Sequence, residues 1–124
     1  MRALPSFLCA VLLVLSASLH PTDANEARYD AQLLRLAEVL GSVHFLRTLC
    51  GEENGGWRAQ MEALLEAEEP SPERRARLVA RFNHGYRSFA AVYTTCTDSA
   101  MRAIDRYMQE GETLAGEIVM RYGN

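Results

Sequence analysis

The segment SPERRARLVARFNHGYRSFAAVYTTC, residues 71–96, decides the fold that the sequence predicts. It opens with a helix start signal: Ser71 can cap the helix, Pro72 suits its first position, and Glu73 complements the positive end of the helix dipole. Apolar or small residues then recur at steps of three and four, namely Leu78, Phe82, Gly85, Phe89, Val92 or Tyr93, and Cys96. This spacing predicts one amphipathic helix that continues to Cys96.

Two segments before this helix have the same periodicity. A long helix is predicted from about Ala27 to Leu49, with Asn25 as its cap. One face of it carries the apolar residues Tyr29, Leu33, Leu36, Leu40, Val43 and Cys50. A glycine-rich loop follows, and a short helix is predicted from Trp57 to Glu68, which Pro70 stops. The apolar stripe of the short helix is Trp57, Met61, Leu64 and Leu65.

A fourth helix is predicted from Thr97 or Asp98, either of which can cap it, to Gly123. Its stripe is Met101, Ile104, Met108, Gly111, Ala115, Ile118 and Tyr122. The predicted fold class is therefore all-α, with three long amphipathic helices and one short one in an up-down bundle. Residues 25–124 are predicted to form this single domain.

The amino terminus has the pattern of a secretory signal peptide. Met1 and Arg2 give a positive start, an apolar run covers Phe7 to Leu15, and small residues follow. This order predicts a leader of residues 1–24, cleaved after Ser18 or Ala24. The alternative is an uncleaved amino-terminal anchor, although the apolar run is short for a bilayer span. The prediction is an exported, periplasmic protein without a permanent membrane anchor.

Removal of the leader, which contains Cys9, reduces three cysteines to two. An even pair in an oxidising compartment predicts one disulfide. In an up-down bundle the first and third helices end at the same pole, where Cys50 and Cys96 would meet. Neither cysteine lies in a C-x-x-C arrangement, so a structural bond is favoured over redox or zinc chemistry.

Composition sets limits on the function. Hydrophobic residues make up 48% and charged residues 23% of the chain, as in ordinary globular domains. The formal net charge of −3 does not favour a nucleic-acid partner. The arginines between positions 74 and 81 adjoin several glutamates, and such a mixed cluster is typical of a solvated helix face.

Three glycines, Gly41, Gly85 and Gly111, fall in the middle of predicted helices. Glycine there costs about 1 kcal/mol relative to alanine, so a compensating role is expected. Close helix packing is the favoured interpretation. The alternative is a shared layer of small residues that makes room for a small ligand.

The middle of the third helix is unusually polar, and Asn83, His84, Tyr86 and Arg87 are predicted to form an exposed surface for a partner. No second histidine or carboxylate stands three or four residues from His84, so no metal site is predicted. The chain has no glycine-rich phosphate loop and no C-x-x-C-H haem motif, so no cofactor is predicted. No catalytic residues are predicted either.

Four stretches carry a family resemblance: YDAQLLRLAEVLGS at 29–42, WR at 57–58, FNHGYRSF at 82–89 and IDRY at 104–107. They resemble a family of small exported proteobacterial proteins of unknown function, over nearly all of the mature chain. The resemblance implies a periplasmic address and an α-helical domain. It implies no catalytic residues.

The leading hypothesis is a non-enzymatic periplasmic interaction or accessory protein with a protein partner in the cell envelope, serving an envelope or cell-wall assembly complex. A helical bundle that binds a small ligand is the alternative. An enzyme acting on the envelope is the third and weakest hypothesis. The sequence leaves the oligomeric state open.

Overall fold

A computed structural model describes residues 21–53 and 55–123. They form α1 (Pro21–Leu49), α2 (Trp57–Glu68), α3 (Pro72–Ala90) and α4 (Asp98–Tyr122), and this part of the chain contains no strand. The predicted all-α class, with three long helices and one short one, is confirmed. The predicted leader lies outside the described residues except for positions 21–24, which begin α1.

The long helix α1 is the centre of the bundle, because each of the other three helices packs against it. The side chain of Tyr29, near the start of α1, meets the start of α3 at Arg74 and the end of α4 at Tyr122. At the other end of α1, Arg47 lies against Trp57, the first residue of α2. Thus α3 runs parallel to α1, and α2 and α4 run antiparallel to it, which confirms the up-down topology.

The central position of α1 explains why a single apolar face describes it poorly. Its buried residues are Leu33, Ala37, Val39, Gly41, Ser42, Val43 and Leu46, which lie on more than one side of the helix. Leu36 and Leu40, predicted for the core face, are only half-buried. A helix with three neighbours needs a wider apolar surface than the stripe of a helix with one neighbour.

The disulfide between Cys50 and Cys96 is present, with the two Cα atoms 4.9 Å apart. The continuous helix predicted up to Cys96 is wrong, however, because α3 ends at Ala90. The backbone N–H of Val92 donates to the carbonyl of Phe89, three residues earlier, which tightens and ends the helix. Cys96 lies in the segment joining α3 to α4, where the chain turns to reach α1. Val92, predicted as a possible member of the buried stripe, is 71% exposed in this segment.

The starts of three helices test the predicted caps. Ser71 accepts a hydrogen bond from the backbone N–H of Arg74, and Thr97 accepts one from that of Ala100, so both caps are confirmed. Asn25 is not a cap, because α1 begins earlier, at Pro21.

The buried side of α4 is displaced from the predicted stripe. Ala100, Ala103 and Ile104 are buried, whereas Met101 is 51% exposed. The first two are small enough to let α4 approach the end of α1, where they pack around Leu46. Hydrophobicity alone favoured the larger Met101, and close approach of two helices favours alanine.

Two glycines lie where α1 and α3 approach each other closely. A Cβ atom at Gly41 would overlap the backbone carbonyl of Phe82, and one at Gly85 would overlap the carbonyl of Glu38. Each glycine therefore faces the backbone of the opposite helix. Buried Ser42 adds to this contact, and its hydroxyl donates to the Glu38 carbonyl.

Candidate functional site

The four residues predicted as a partner surface are all exposed on α3, but they divide between its two flanks. The ring of Tyr86 packs against α1, 5.7 Å from the ring of His44 and 5.2 Å from that of Phe45. His84 lies on the other flank, where its Nε2 is 3.8 Å from Oε1 of Glu38. Asn83 and Tyr86 line one cleft, between α2 and α3, and His84 lines a pocket on the opposite flank of α3. Arg87 lines neither of these two concavities. The structure therefore brings Asn83 and Tyr86 together and separates them from His84.

An ion-pair network occupies the His84 flank. The Glu38 side chain is only 15% exposed, and its carboxylate pairs with Arg81 at 2.8 Å and with Arg35 at 3.4 Å. Arg35 also donates two hydrogen bonds to the carboxylate of Glu110 in α4, from Nε at 2.7 Å and from Nη2 at 3.0 Å. Hydrogen bonding to the Glu110 carboxylate raises the pKa of the Arg35 guanidinium. These charges link α1, α3 and α4 to one another, so they are engaged in holding the bundle together.

The serines make local contacts. The Ser42 and Ser88 hydroxyls donate to carbonyls one turn earlier in their own helices, and Ser99 shares a hydrogen bond with Tyr93. Across residues 21–53 and 55–123, no group of three or more histidine, cysteine or acidic side chains is arranged to hold a metal ion. Over the same ranges, no helix combines the length and hydropathy needed to span a bilayer.

An apolar groove of about 480 Å³ lies along α1, between α2 and α4. Its floor consists of four α1 side chains, Leu36, Val39, Leu40 and Val43. These residues span two helical turns, or about 10 Å at 1.5 Å per residue. Leu36 and Leu40 are half-buried because no residue of α2 or α4 covers them completely.

The walls of the groove are contributed by two helices. Trp57 and Leu64 stand on the α2 side, and Met108 and Gly111 on the α4 side. A Cβ atom at Gly111 would lie 3.3 Å from Cγ1 of Val39, so a side chain at this position would press against the floor of the groove. Gly111 thus differs from Gly41 and Gly85, which lie in the contact between α1 and α3.

Three polar side chains border the groove: Gln60, Tyr107 and Glu112. The guanidinium of Arg35 lies 5.5 Å from the centre of the Tyr107 ring, which fixes the ring against α1. Glu112 is exposed and has no arginine or histidine within 4.0 Å among the residues described. The groove is therefore apolar at its floor, with a solvated carboxylate at its edge.

Sequence reasoning missed this groove, although one signal for it was present. Residues 36, 39, 40 and 43 follow the spacing i, i+3, i+4, i+7, which is a complete apolar face. The buried residues Leu33 and Leu46 lie at the two edges of this face, seven residues from Leu40 and from Val39, and Ala37 lies further round the helix. An apolar surface that extends around most of a helix indicates either several neighbours or an uncovered groove, and α1 has both.

These features define a class of protein: an all-helical bundle around one central helix, closed by a disulfide and carrying an open apolar groove. A sequence model of the family described as "Protein of unknown function (DUF2385)" matches residues 28–122. The chain belongs to this family, which confirms the resemblance to an uncharacterised family. Comparison with curated proteins and with solved structures found no match.

Proposed function

We propose that the protein is a non-enzymatic interaction protein of the periplasm that binds an apolar helix of a partner protein in the groove between α2 and α4. The observation that carries this proposal is the apolar floor of Leu36, Val39, Leu40 and Val43. The two valines are buried, and Leu36 and Leu40 are left partly uncovered by the described part of the chain. The disulfide supports an oxidising compartment. An accessory role in an envelope or cell-wall assembly complex is the setting that we propose for it.

The dimensions of the groove favour a helix as its occupant. Helix-in-groove recognition uses apolar anchors at i, i+3 or i+4, and i+7, a spacing that covers the same two turns as the floor. A site for a small molecule encloses most of its ligand and places several converging polar groups around it. This groove is open, and its polar groups stand at the border.

The charge at the border specifies the partner further. Glu112 has no cationic neighbour among the described residues, so a basic residue beside the apolar anchors of the partner would complement it. The partner is therefore an amphipathic helix with a leucine-type stripe and an arginine or lysine next to it. Such a pair at the rim contributes more to orientation than to affinity.

A defined peptide tests this proposal directly. The probe is a helical peptide of about 14 residues with leucines at i, i+3 and i+7 and one flanking arginine. We expect it to bind the exported, oxidised protein, and to bind Gly111→Leu at least about tenfold more weakly, because the new side chain fills the groove. Titration calorimetry gives the affinities.

Gly116→Leu is the matched control, since it changes a glycine of the same helix whose Cβ would meet nothing within 4 Å. Its affinity for the peptide should equal that of the unchanged protein. Replacing Glu112 by glutamine should weaken the binding of the arginine peptide. It should not change the binding of a peptide that has glutamine in place of the arginine. Equal binding of the peptide by the Gly111 and Gly116 variants, or no binding by the unchanged protein, would overturn the proposal.

The alternative of a small-ligand bundle is tested in the same experiment. The neutral fluorescent probe N-phenyl-1-naphthylamine replaces the peptide. If it binds in a Gly111-dependent manner while the peptide does not bind, the groove takes small apolar molecules and the helix proposal is wrong. If the peptide displaces it, the proposal is supported.

A further inference from the structure

A second concavity, separate from the groove, lies on the other side of α2. It is a cleft of about 350 Å³ between α2 and α3, with α1 beneath it. Its base is apolar and consists of core residues, chiefly Met61, Leu65 and Phe82. Its border is polar, and most of the polar groups are cationic or can donate hydrogen bonds.

The two arginines of the cleft come from different helices. Arg58 comes from α2 and Arg75 from α3, and neither has a carboxylate within 4.0 Å in the described residues. The neighbouring Arg74, by contrast, is held by Asp30 at 2.7 Å and by Glu68 at 3.0 Å. The two cleft arginines are therefore available for a ligand.

Three more groups complete the border. His44 of α1 is half-buried, and its ring lies 6.0 Å from that of Phe82 and 5.7 Å from that of Tyr86. The Asn83 side chain adds an amide, and no hydrogen-bond partner engages it within the described residues. The lining includes one carboxylate, Glu62.

We propose that this cleft is a second binding site, which takes a carboxylate attached to an apolar or aromatic group. The carboxylate would contact the guanidinium groups of Arg58 and Arg75 and the Asn83 amide. The apolar group would pack on Phe82 and its neighbours at the base. Arginine forks suit carboxylates because two N–H groups can donate to the two oxygens. The site goes beyond the proposed function and does not depend on the groove.

The environment of His44 adds a property of this site. Burial lowers the pKa of the imidazole, and the positive charge of Arg58 lowers it further. A bound carboxylate would offset both effects and raise that pKa, so binding of the anion and protonation of His44 favour each other. The other charged or titratable groups that line the cleft with His44 are Glu62 of α2 and Arg75 and Tyr86 of α3, and the Tyr86 ring lies next to the His44 ring.

The test uses two carboxylates and their neutral amides, since the ligand could be a small acid or the end of a peptide. The small acid is 2-naphthoate, and the peptide is N-acetyl-Leu-Leu-Phe with a free carboxyl terminus. We expect at least one acid to bind the exported, oxidised protein about tenfold or more tightly than its amide. Amide NMR shifts should change around His44, Arg58, Arg75 and Asn83. Whichever acid binds identifies the source of the carboxylate.

Arginine variants locate the site. Arg58→Gln and Arg75→Gln should each lower the affinity for the acid about tenfold and leave the affinity for the amide unchanged. Arg77→Gln is the matched control, because Arg77 is an exposed arginine of the same helix on the opposite flank of α3. Equal affinities for acid and amide, no binding of either acid, or an equal loss in Arg77→Gln would overturn the proposal.

The pH dependence gives a readout that a merely structural role for His44 would not move. Affinity for the acid should rise as the pH falls from about 8 to about 5.5, because protonated His44 attracts the anion. His44→Gln should bind with no such dependence. A dependence that persists in His44→Gln would contradict the role given to His44. The arginine variants assign binding to the cleft and not to the groove, so failure here leaves the peptide experiment unaffected.

Discussion

Replacing both cysteines of the disulfide with alanine should lower the stability of the protein by about 4 kcal/mol, because the unfolded chain regains the freedom that the bond removes. Cys50 and Cys96 are 46 residues apart in sequence, and they join the end of α1 to the segment after α3. A loss of this size is comparable with the whole stability of many small domains. It corresponds to a fall in melting temperature on the order of 15–30 °C for a domain of this length.

Structure near the bond explains why other contacts would not replace it. The segment from Val92 to Cys96 is mostly exposed, and only Tyr93 in it packs against the cluster formed by α1 and α4. Without the bond, this segment has little apolar surface to hold it to α1. The loss should therefore begin at this pole of the bundle.

Thermal unfolding followed by circular dichroism measures the effect. The unchanged protein with a reductant should melt like the alanine variant without one, since both lack the same bond. Reductant should not change the melting of the alanine variant. If the reductant left the melting of the unchanged protein where it was, the bond would not be a stabilising one.

Gly85→Ala should destabilise the protein by about 3 kcal/mol, at the upper end of what overpacking costs. The added Cβ would overlap the backbone carbonyl of Glu38 and lie 2.8 Å from the hydroxyl of Ser42. A carbonyl inside a helix cannot move away by rotating a side chain. The two helices must separate, and the clash outweighs the gain of up to about 1 kcal/mol that alanine brings to a helix.

The control substitution should change the stability in the opposite direction. Gly116→Ala also replaces a helical glycine, but its Cβ would lie in open space, so it should stabilise the protein by up to about 1 kcal/mol. Urea unfolding of both variants gives the two free energies. A Gly85→Ala protein as stable as the unchanged one would show that α1 and α3 do not approach as closely as Gly41 and Gly85 indicate.

Only some residues of the candidate sites could be predicted from the sequence. Asn83 and Tyr86 were recognised as polar or exposed, and both line the cleft, but His44, Arg58 and Arg75 join them from elsewhere in the chain. No local pattern connects these residues, because the three helices carrying them meet only in the folded protein. The floor of the groove follows a local spacing, but its walls on α2 and α4 come together only in the folded protein.

The sequence by itself determined the existence of the four helices and the pairing of the two cysteines. Apolar spacing, the caps at Ser71 and Thr97 and the stop at Pro70 act within a few residues, so they can be recognised without the fold. The tertiary structure decided which helix lies at the centre and which of its faces stays uncovered. It also decided that α3 ends at Ala90, because the chain must turn to bring Cys96 to Cys50. Periodicity shows which faces of a helix are apolar, but only the arrangement of its neighbours shows which of those faces remain open to a ligand.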